Sequence, residues 1–379
     1  MLIELLSGCK RVLVRPGLGS KSCAALLAVA VLAPKPARAI PYFAHEYGMT
    51  CQKCHTVVPR LSAFGEAFEA HGFAIPGARP RAAFPLAVKI NAAYSSERDP
   101  TGLPKATLDE VELFVAGRLG TRANFFVEQY LIDGARSGAT RDAWLAYRAT
   151  PDGAPVPVTL RAGAFTLPLP VDPESFRESL SHYAIFDQRI GANPFVFFDA
   201  KTGGEVRVGA RGRGTSVAFL ALGGHDIQSG IAAHGFDTMV AAQQVLGPGV
   251  LSAYHYAGAR PIGDGLDRFW RLGYGLALQR GDAEVQAVFQ TGFDGNADGA
   301  GRSASSSGGF AQVRYAFSRR TFALVRYEGT SDSAGGFTRS IMPLIGYRLT
   351  RNSRLTFEDT ITHVPTAKHT LGTQYTVAY

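Results

Sequence analysis

The sequence has few charged residues and no long apolar run, and each absence excludes a class of protein. Charged residues make up 18% of the 379 residues, below the roughly 25% of an ordinary soluble domain. No stretch reaches the roughly 18 consecutive apolar residues that a membrane-spanning helix needs. The hydrophobic content is nevertheless 46%, and 43 residues are glycine, which excludes a disordered chain. A β-rich chain with evenly spread apolar residues remains.

Cysteine is also scarce, and its position divides the chain. Two of the four cysteines lie in residues 1–39, where basic residues precede an apolar core at 23–33 and an A-x-A cleavage sequence at 37–39. This pattern predicts an export signal peptide. The segment holds six basic and one acidic side chain, so its removal lowers the net charge from +8 to +3. We therefore expect an exported protein and no nucleic-acid partner.

The two cysteines that remain form the chemical motif of the chain. Cys51 and Cys54 precede His55 in a C-x-x-C-H sequence, which is typical of covalent c-type haem attachment. The two thiols can bond both vinyl groups of one haem, and the histidine can then ligate the iron. A redox pair needs a βαβ context and a zinc site needs further nearby Cys or His ligands. The motif therefore predicts one covalent haem c.

A short segment around this motif, residues 40–79, is predicted to be the haem domain. The helical spacing of Leu61, Phe64, Phe68 and His71 predicts a helix over residues 60–71. Phe64 and Phe68, together with Phe43, are the candidate packing groups for the porphyrin. Because some 40 residues cannot bury a haem alone, we expect the segment to lean on the rest of the chain.

The sixth ligand of the haem iron stays open. His71 lies on the apolar helical face, sixteen residues beyond His55, whereas His45 precedes Cys51 by six residues. Met49 is a third candidate, but it stands only two residues before Cys51. A histidine near a helix end can equally be a capping or solvated side chain.

From residue 84 onward, small or apolar residues alternate with polar ones, which is the pattern of strands with two different faces. The alternation predicts sixteen strands, most of them near the roughly 9–11 residues that cross a bilayer when tilted. They lie near 84–93, 108–118, 122–132, 140–149, 157–167, 204–212, 214–222, 236–247, 249–257, 268–280, 282–292, 308–317, 320–329, 340–350, 353–362 and 369–379.

The connections between these segments alternate between short and long. Connections of one to three residues, as at 119–121, interleave with long ones such as 168–203, 258–267 and 293–307. This alternation is typical of an outer-membrane barrel with tight periplasmic turns and longer outer loops. We therefore predict an all-β fold: a sixteen-stranded antiparallel transmembrane barrel over residues 80–379 with a short helical haem-binding plug. The 36-residue connection at 168–203 is expected to be functional or to fold inward.

The alternation also assigns charged side chains to the lumen, where they are expected to solvate a channel and to pair with one another. The predicted lumen-facing residues are Glu110, Glu112, Glu128, Arg148, Arg161, Glu205, Arg207, Arg211, Glu284, Arg314, Arg326 and Glu358.

Residues 39–73 carry a family resemblance. The run AIPYFA at 39–44, Gly48, the haem motif, Pro59, Leu61, the Phe64-Gly65 pair, Phe68 and the Gly72-Phe73 pair resemble the fused outer-membrane cytochrome–porins of iron-oxidising bacteria. The resemblance implies a single-haem plug inside a sixteen-stranded barrel or at its periplasmic mouth. It also implies that Cys51, Cys54 and His55 hold the haem, and that electrons pass from extracellular Fe(II) to periplasmic carriers such as a soluble c-type cytochrome.

Two functional hypotheses of different classes follow. The chain is either an electron conduit in the bacterial outer membrane, with Fe(II) oxidation as its reaction, or a diffusion porin whose haem plug is structural or sensory. Electron transfer requires no catalytic residue, because the protein positions the haem and excludes water. A haem enzyme acting on a small oxidant is a weaker third hypothesis, because the sequence offers no distal catalytic group.

Overall fold

The computed structural model describes residues 42–378, with gaps at 50, 58–59, 71–72, 76–77, 79–85, 99–103, 135, 152–153, 175–176, 226–231 and 364–366. The described residues all belong to one compact unit, Ile40–Tyr379. The predicted signal peptide lies outside the described residues, as does the predicted boundary between the haem segment and the barrel.

Sixteen antiparallel strands form a closed barrel, in which each strand pairs with the next along the chain and the last pairs with the first. The strands are β3 (Leu86–Arg98), β4 (Pro104–Leu119), β5 (Ala123–Asp133), β6 (Arg136–Arg148), β7 (Val158–Phe165), β8 (Lys201–Ala210), β9 (Arg213–His225), β10 (Ala232–Leu246), β11 (Gly249–Ile262), β12 (Gly265–Arg280), β13 (Ala283–Asp294), β14 (Ala304–Ala316), β15 (Thr321–Asp332), β16 (Phe337–Arg348), β17 (Ser353–His363) and β18 (Ala367–Ala378). The predicted barrel class, strand number and strand order are confirmed.

The strands at the loop side are longer than the alternation predicts. The connection expected at 258–267 is instead a hairpin, because β11 continues to Ile262 and β12 begins at Gly265. Gly263 adopts a left-handed φ of 56° between them, which glycine allows without a Cβ clash. The extension was missed because its inward side chains, Arg260 and Asp267, are charged yet fully buried.

The outward face of the barrel is apolar. Its exposed aliphatic side chains include Leu145, Leu160, Val240, Leu251, Leu276, Val313, Val325, Ile345 and Leu371. Aromatic side chains occupy both ends of the strands. Tyr147, Tyr315, Phe317 and Tyr347 lie on the side of the chain termini, and Tyr94, Phe236, Trp270 and Phe337 lie on the opposite side. An apolar band between two aromatic girdles is the surface that transmembrane barrels present to lipid.

The inner face holds glycines where aromatic rings from a neighbouring strand need room. A Cβ on Gly273 would lie 2.2 Å from the ring of Tyr254, and one on Gly346 would lie 2.1 Å from the ring of Phe322. Such glycine–aromatic neighbours let a large ring lie flat against the wall of a sheet.

Residues 166–200, here called the lumen loop, cross the interior of the barrel. The loop joins the adjacent strands β7 and β8, yet Glu358 of β17 accepts hydrogen bonds from the backbone of Leu180 (2.7 Å) and Ser181 (3.1 Å). On β15, the Arg326 guanidinium donates to the Ser181 carbonyl at 3.0 Å. Strand β15 lies eight strands from β7, on the opposite wall. The expectation that this long connection folds inward is confirmed.

The N-terminal segment consists of short elements: α1 (Tyr42–Glu46), α2 (Cys51–Cys54), β1 (His55–Val57), β2 (Arg60–Leu61) and α3 (Ala63–Ala70). Helix α3 begins three residues later than predicted. Arg60 and Leu61, expected in its first turn, pair with β1 instead. Ser62 then caps the helix, because its Oγ accepts a hydrogen bond from the backbone N–H of Gly65 at 3.1 Å.

Candidate functional site

The two cysteines of the C-x-x-C-H motif lie on one helical turn. Cys51 and Cys54 are the first and last residues of α2, and His55 begins β1 directly after it. A spacing of three residues in a helix places two side chains on one face, which suits attachment to one porphyrin. The side chain of Cys54 is half-buried. The side chains of Cys51 and His55 lie outside the described residues, so their roles stay predictions.

The three predicted packing residues come together in one aromatic cluster. Phe68 lies 5.2 Å from Phe43 and 6.1 Å from Phe64, measured between ring centroids. Cys54 packs against the same core. The cluster has two further members that helical spacing does not identify. Phe73 stacks on Phe43 at 4.5 Å, and the Tyr47 hydroxyl donates to the Phe73 carbonyl at 2.9 Å.

This cluster continues onto the inner wall of the barrel. The Phe73 ring lies 6.3 Å from Trp144 on β6 and 6.4 Å from Phe126 on β5. Those two wall residues face each other at 5.7 Å. The short segment was expected to lean on the rest of the chain. It does so by packing its aromatic side chains against side chains of the barrel. The alternation of residues around Trp144 indicates that its side chain faces inward, but it does not indicate that Phe73 is its contact.

Charged groups line the wall beside this contact. Arg161 of β7 pairs with Glu205 of β8 at 2.6 Å, and its guanidinium lies over the rings of Phe165 (4.0 Å) and Trp144 (5.7 Å). Burial raises the pKa of the Glu69 carboxyl on α3, and the neighbouring cations Arg211 and Arg161 oppose that rise.

The three candidates for the sixth ligand are described unequally. His71 lies outside the described residues. His45 belongs to α1, but its side chain lies outside the description. Met49 is half-buried, and its backbone N–H donates to the Ala44 carbonyl at 2.7 Å. All three stay predictions.

Charged side chains in the lumen pair with one another across neighbouring strands and with residues of the lumen loop. Lys89 lies 2.6 Å from Glu112. Glu174 of the loop pairs with Arg141 of β6 at 3.2 Å, and Glu178 of the loop pairs with Arg314 of β14 at 2.8 Å. Most of the remaining predicted residues are buried on inward positions: Glu110, Glu128, Glu205, Glu284, Arg326 and Glu358. Arg211 differs, because it lies in the turn between β8 and β9.

Part of the lumen is filled by apolar side chains. Phe195 of the loop lies 4.6 Å from Tyr256 of β11 and 4.8 Å from Phe269 of β12. Phe197 of the same loop lies 5.4 Å from Tyr254. These residues belong to the same core cluster as Trp144 and the N-terminal aromatics. One packed cluster therefore runs from the C-x-x-C-H segment to the lumen loop.

The described part of the chain holds neither a cluster of metal ligands nor a helix able to span a membrane. There, no group of three or more His, Cys, Asp or Glu side chains is arranged to hold a metal ion. Within the same residues, every helix is too short or too polar for a membrane span.

Comparison with known proteins shows the fold. No family model and no curated protein matches the sequence. Among solved structures, an anion-selective porin from Comamonas acidovorans superposes with a TM-score of 0.60 at 13% identity, covering 78% of this chain and 98% of that one.

Two other channels give similar values. The OmpF complex of Salmonella typhi with daunomycin superposes with a TM-score of 0.57 at 12% identity, over 78% of this chain and 97% of that one. The outer-membrane channel DcaP of Acinetobacter baumannii has a TM-score of 0.56 at 13% identity, over 78% and 96%. The chain therefore has the closed sixteen-stranded barrel fold of the porins.

Proposed function

We propose that this chain is a bacterial outer-membrane electron conduit. In this proposal residues 40–79 carry one covalent haem c in the barrel lumen or at its periplasmic mouth. Electrons from an extracellular donor, Fe(II), pass through the haem to a periplasmic carrier such as a soluble c-type cytochrome. The observation that carries the proposal is the packing of the C-x-x-C-H segment, through Phe73, onto Trp144 of the barrel wall.

The outer surface supports the membrane location. An apolar band flanked by aromatic girdles gains by contact with lipid, because each exposed apolar side chain would otherwise face water. The likeness to outer-membrane channels agrees with this location.

The residues of the N-terminal segment fit a haem. Cys51 and Cys54 would form the thioether bonds and His55 would ligate the iron, with His71 or His45 as the opposite ligand. When bound, the haem supplies reversible one-electron chemistry at its iron. Phe43, Phe64 and Phe68 offer apolar faces that exclude water, and Cys54 already lies against that cluster.

The partial filling of the lumen by the lumen loop supports electron transfer over solute diffusion. The lumen loop is held to the wall on both sides, by ion pairs such as Arg314–Glu178 and by aromatic contacts such as Phe195–Tyr256. Electron transfer is fastest through tightly packed groups, whereas diffusion of solutes needs an open channel.

The first test is haem attachment in cells that export and mature c-type cytochromes. The full chain is expected to keep its haem on a denaturing gel stained for haem peroxidase activity. The double variant Cys51→Ala/Cys54→Ala should lose that stain while the barrel still resists unfolding. A wild-type protein without covalent haem would overturn the cytochrome assignment.

The second test is reduction of the purified haem protein by Fe(II). Mixing is expected to give the reduced absorption spectrum, at a haem potential that potentiometry measures independently. Absence of haem reduction would reject the iron donor.

The alternative is a diffusion porin with a structural or sensory haem plug, which the likeness to an anion-selective porin favours. Liposome swelling separates the two functions. Rapid uptake of small solutes by the wild-type protein would support the porin, and slow uptake would support the conduit.

A further inference from the structure

Two histidines share the same pairing with an aspartate. Nδ1 of His182, in the lumen loop, lies 2.9 Å from a carboxylate oxygen of Asp187. Nδ1 of His369, on β18, lies 3.1 Å from a carboxylate oxygen of Asp359. When the Nδ1–H donates to a carboxylate, Nε2 carries the lone pair and points away from it. Histidines that bind metals are oriented in this way by a second group.

His182 is held firmly while its ring stays accessible. The ring stacks on Phe198 at 4.2 Å between centroids, and its side chain is 39% exposed. Arg326 of the far wall donates to the His182 backbone carbonyl at 2.9 Å. The Arg141 guanidinium lies over Phe198 at 5.4 Å, but its charge is compensated by Glu174 at 3.2 Å. Because the His182 side chain is 39% exposed, a cation can approach the ring.

The residue after His182 enters the packed core. Tyr183 is 1% exposed and stacks on Phe310 of β14 at 4.4 Å. It belongs to the core cluster that also contains Trp144 and Phe73 and that Cys54 packs against. The packed cluster thus touches the C-x-x-C-H segment through Cys54 and adjoins the His182 imidazole through Tyr183. His369 lies instead on β18, beside the exposed, outward-facing Leu371.

We propose that His182, oriented by Asp187, is the docking site of a hydrated Fe(II) donor; this rests on the proposed conduit function. Imidazole nitrogen is a suitable ligand for divalent iron. In the transfer, one Fe(II) loses one electron to become Fe(III), and one ferric haem iron gains it to become ferrous. No bond of the chain forms or breaks.

The sparse ligand set agrees with a donor rather than a resident ion. Since no larger cluster of His, Cys, Asp or Glu in the described residues is placed to hold a metal, water would complete the coordination at His182. A weakly held ion can leave after oxidation and make room for the next one.

Three variants of the full-length haem protein test the site. His182→Gln removes the ligand, and Asp187→Asn removes the orienting carboxylate. His369→Gln is the matched control, because it removes an equivalent Asp-paired histidine from the outer face. Reduction of the haem by Fe(II) is followed by stopped flow at sub-saturating iron, and the haem potential is measured for each variant.

We expect His182→Gln and Asp187→Asn to slow haem reduction by about ten- to hundredfold, the usual loss of metal affinity when such a group is removed. His369→Gln should stay near the wild-type rate, and the haem potential should be unchanged in all three. Equal rates in His182→Gln and the wild type would overturn the proposal.

A second readout does not depend on the haem. Fe(II) with ascorbate and oxygen generates hydroxyl radicals at bound iron, and mass spectrometry locates the oxidised side chains. Oxidation concentrated at Phe198 in the wild type and lost in His182→Gln supports the site. Uniform oxidation in both proteins contradicts it. If Fe(II) does not reduce the haem but Phe198 is still oxidised, the cation site is supported and the conduit function is rejected.

Discussion

The two sides of the lumen hold the same loop by different chemistry. Toward β3–β6 and β15–β17 the lumen loop is held by ions and hydrogen bonds, as in the contacts of Arg141 with Glu174 and of Glu358 with Leu180. Toward β9–β14 buried rings predominate, as in the contacts of Phe195 and Tyr183, although Arg314 of β14 also pairs with Glu178 of the loop. The inward-facing positions of a strand can hold polar or apolar residues. One barrel can therefore have a charged side and an aromatic side in its interior.

The difference predicts two kinds of response to mutation. Buried rings contribute to the stability of the whole barrel, since their loss leaves a cavity. Charged hydrogen bonds to a loop decide how tightly that loop is held. The strands of the wall keep their interstrand backbone hydrogen bonds when those contacts are lost. The following changes test that distinction.

The largest effect is expected on the aromatic side. Tyr256→Ala should lower the free energy of unfolding by about 3–5 kcal/mol, the usual cost of removing a large buried ring. Tyr256 is fully buried and its hydroxyl donates to Asp237. Urea unfolding in lipid vesicles measures the change. Tyr274→Ala, on the lipid-facing side of β12, is the control. An equal loss of unfolding free energy in both variants would show that the buried rings of the lumen carry no special share of the stability.

On the ionic side, Glu358→Gln is expected to release the loop locally. Its carboxylate accepts hydrogen bonds from the backbone of Leu180 and Ser181 and from the Ser181 hydroxyl. Replacing a charged acceptor should lower the free energy of loop opening by about 2–3 kcal/mol. Hydrogen exchange at residues 178–182 should speed up while global unfolding changes little.

A matched change outside the lumen sharpens this result. Glu97 pairs with Lys105 at 3.1 Å, with both side chains nearly half exposed, and such pairs contribute little. Glu97→Gln should leave exchange in the loop as it is in the wild type. If Glu358→Gln instead lowered global stability as much as Tyr256→Ala, the two sides would not differ in kind.

A smaller effect is expected where glycine makes room for a ring. Gly273→Ala would place a methyl group 2.2 Å from the Tyr254 ring, and the ring must shift. The expected loss is about 1–2 kcal/mol of unfolding free energy, within the usual cost of overpacking. In the double variant with Tyr254→Leu, the cost of the alanine should shrink, because neighbouring changes are not additive. Additive losses would show that the close approach is not the cause.

The smallest effect is expected in the outer loop at 295–303. A hydrogen bond from Arg302 lowers the pKa of Asp298 to about 2, and the backbone N–H groups of Arg302 and Ala300 act in the same direction. Because the folded pKa lies below the unfolded value, the contribution is present above pH 4 and is lost as the pH falls toward 2. A spin label at Ala300→Cys should gain mobility over that range.

Asp298→Asn is the control for this titration. It should abolish the pH dependence of the label and leave barrel unfolding at pH 7 unchanged, since an exposed pair is screened by water. A pH-dependent label in this variant would assign the transition to another group.

Local patterns predicted the wall of the barrel well. Strand β13 shows why: Val285, Ala287 and Phe289 face outward while Glu284, Gln286 and Val288 face inward. The period of two is enough to predict which side chains of a strand share a face. The same reasoning failed at the loop ends of β11 and β12, where buried ion pairs replace apolar side chains.

The candidate site was predictable only within one short segment. Helical spacing predicted that Phe64 and Phe68 share a face, and the structure brings them together with Phe43. The helix start was wrong because Arg60 and Leu61 gain backbone pairing with β1. The contact of Phe73 with Trp144 joins residues far apart in sequence, and no local period encodes it.

The sequence by itself determined the elements and the chemistry they carry: a strand period of two, the turns that limit each strand, and a C-x-x-C-H motif with its neighbouring aromatics. Only the tertiary structure decided which of these meet. Closure of the sixteen strands places β15 across the lumen from β7, where the lumen loop begins. It also sets Trp144 beside the N-terminal segment. The physical reason is that alternation fixes which way a side chain points, whereas its partner across the lumen depends on barrel closure and on where a long loop finds buried contacts.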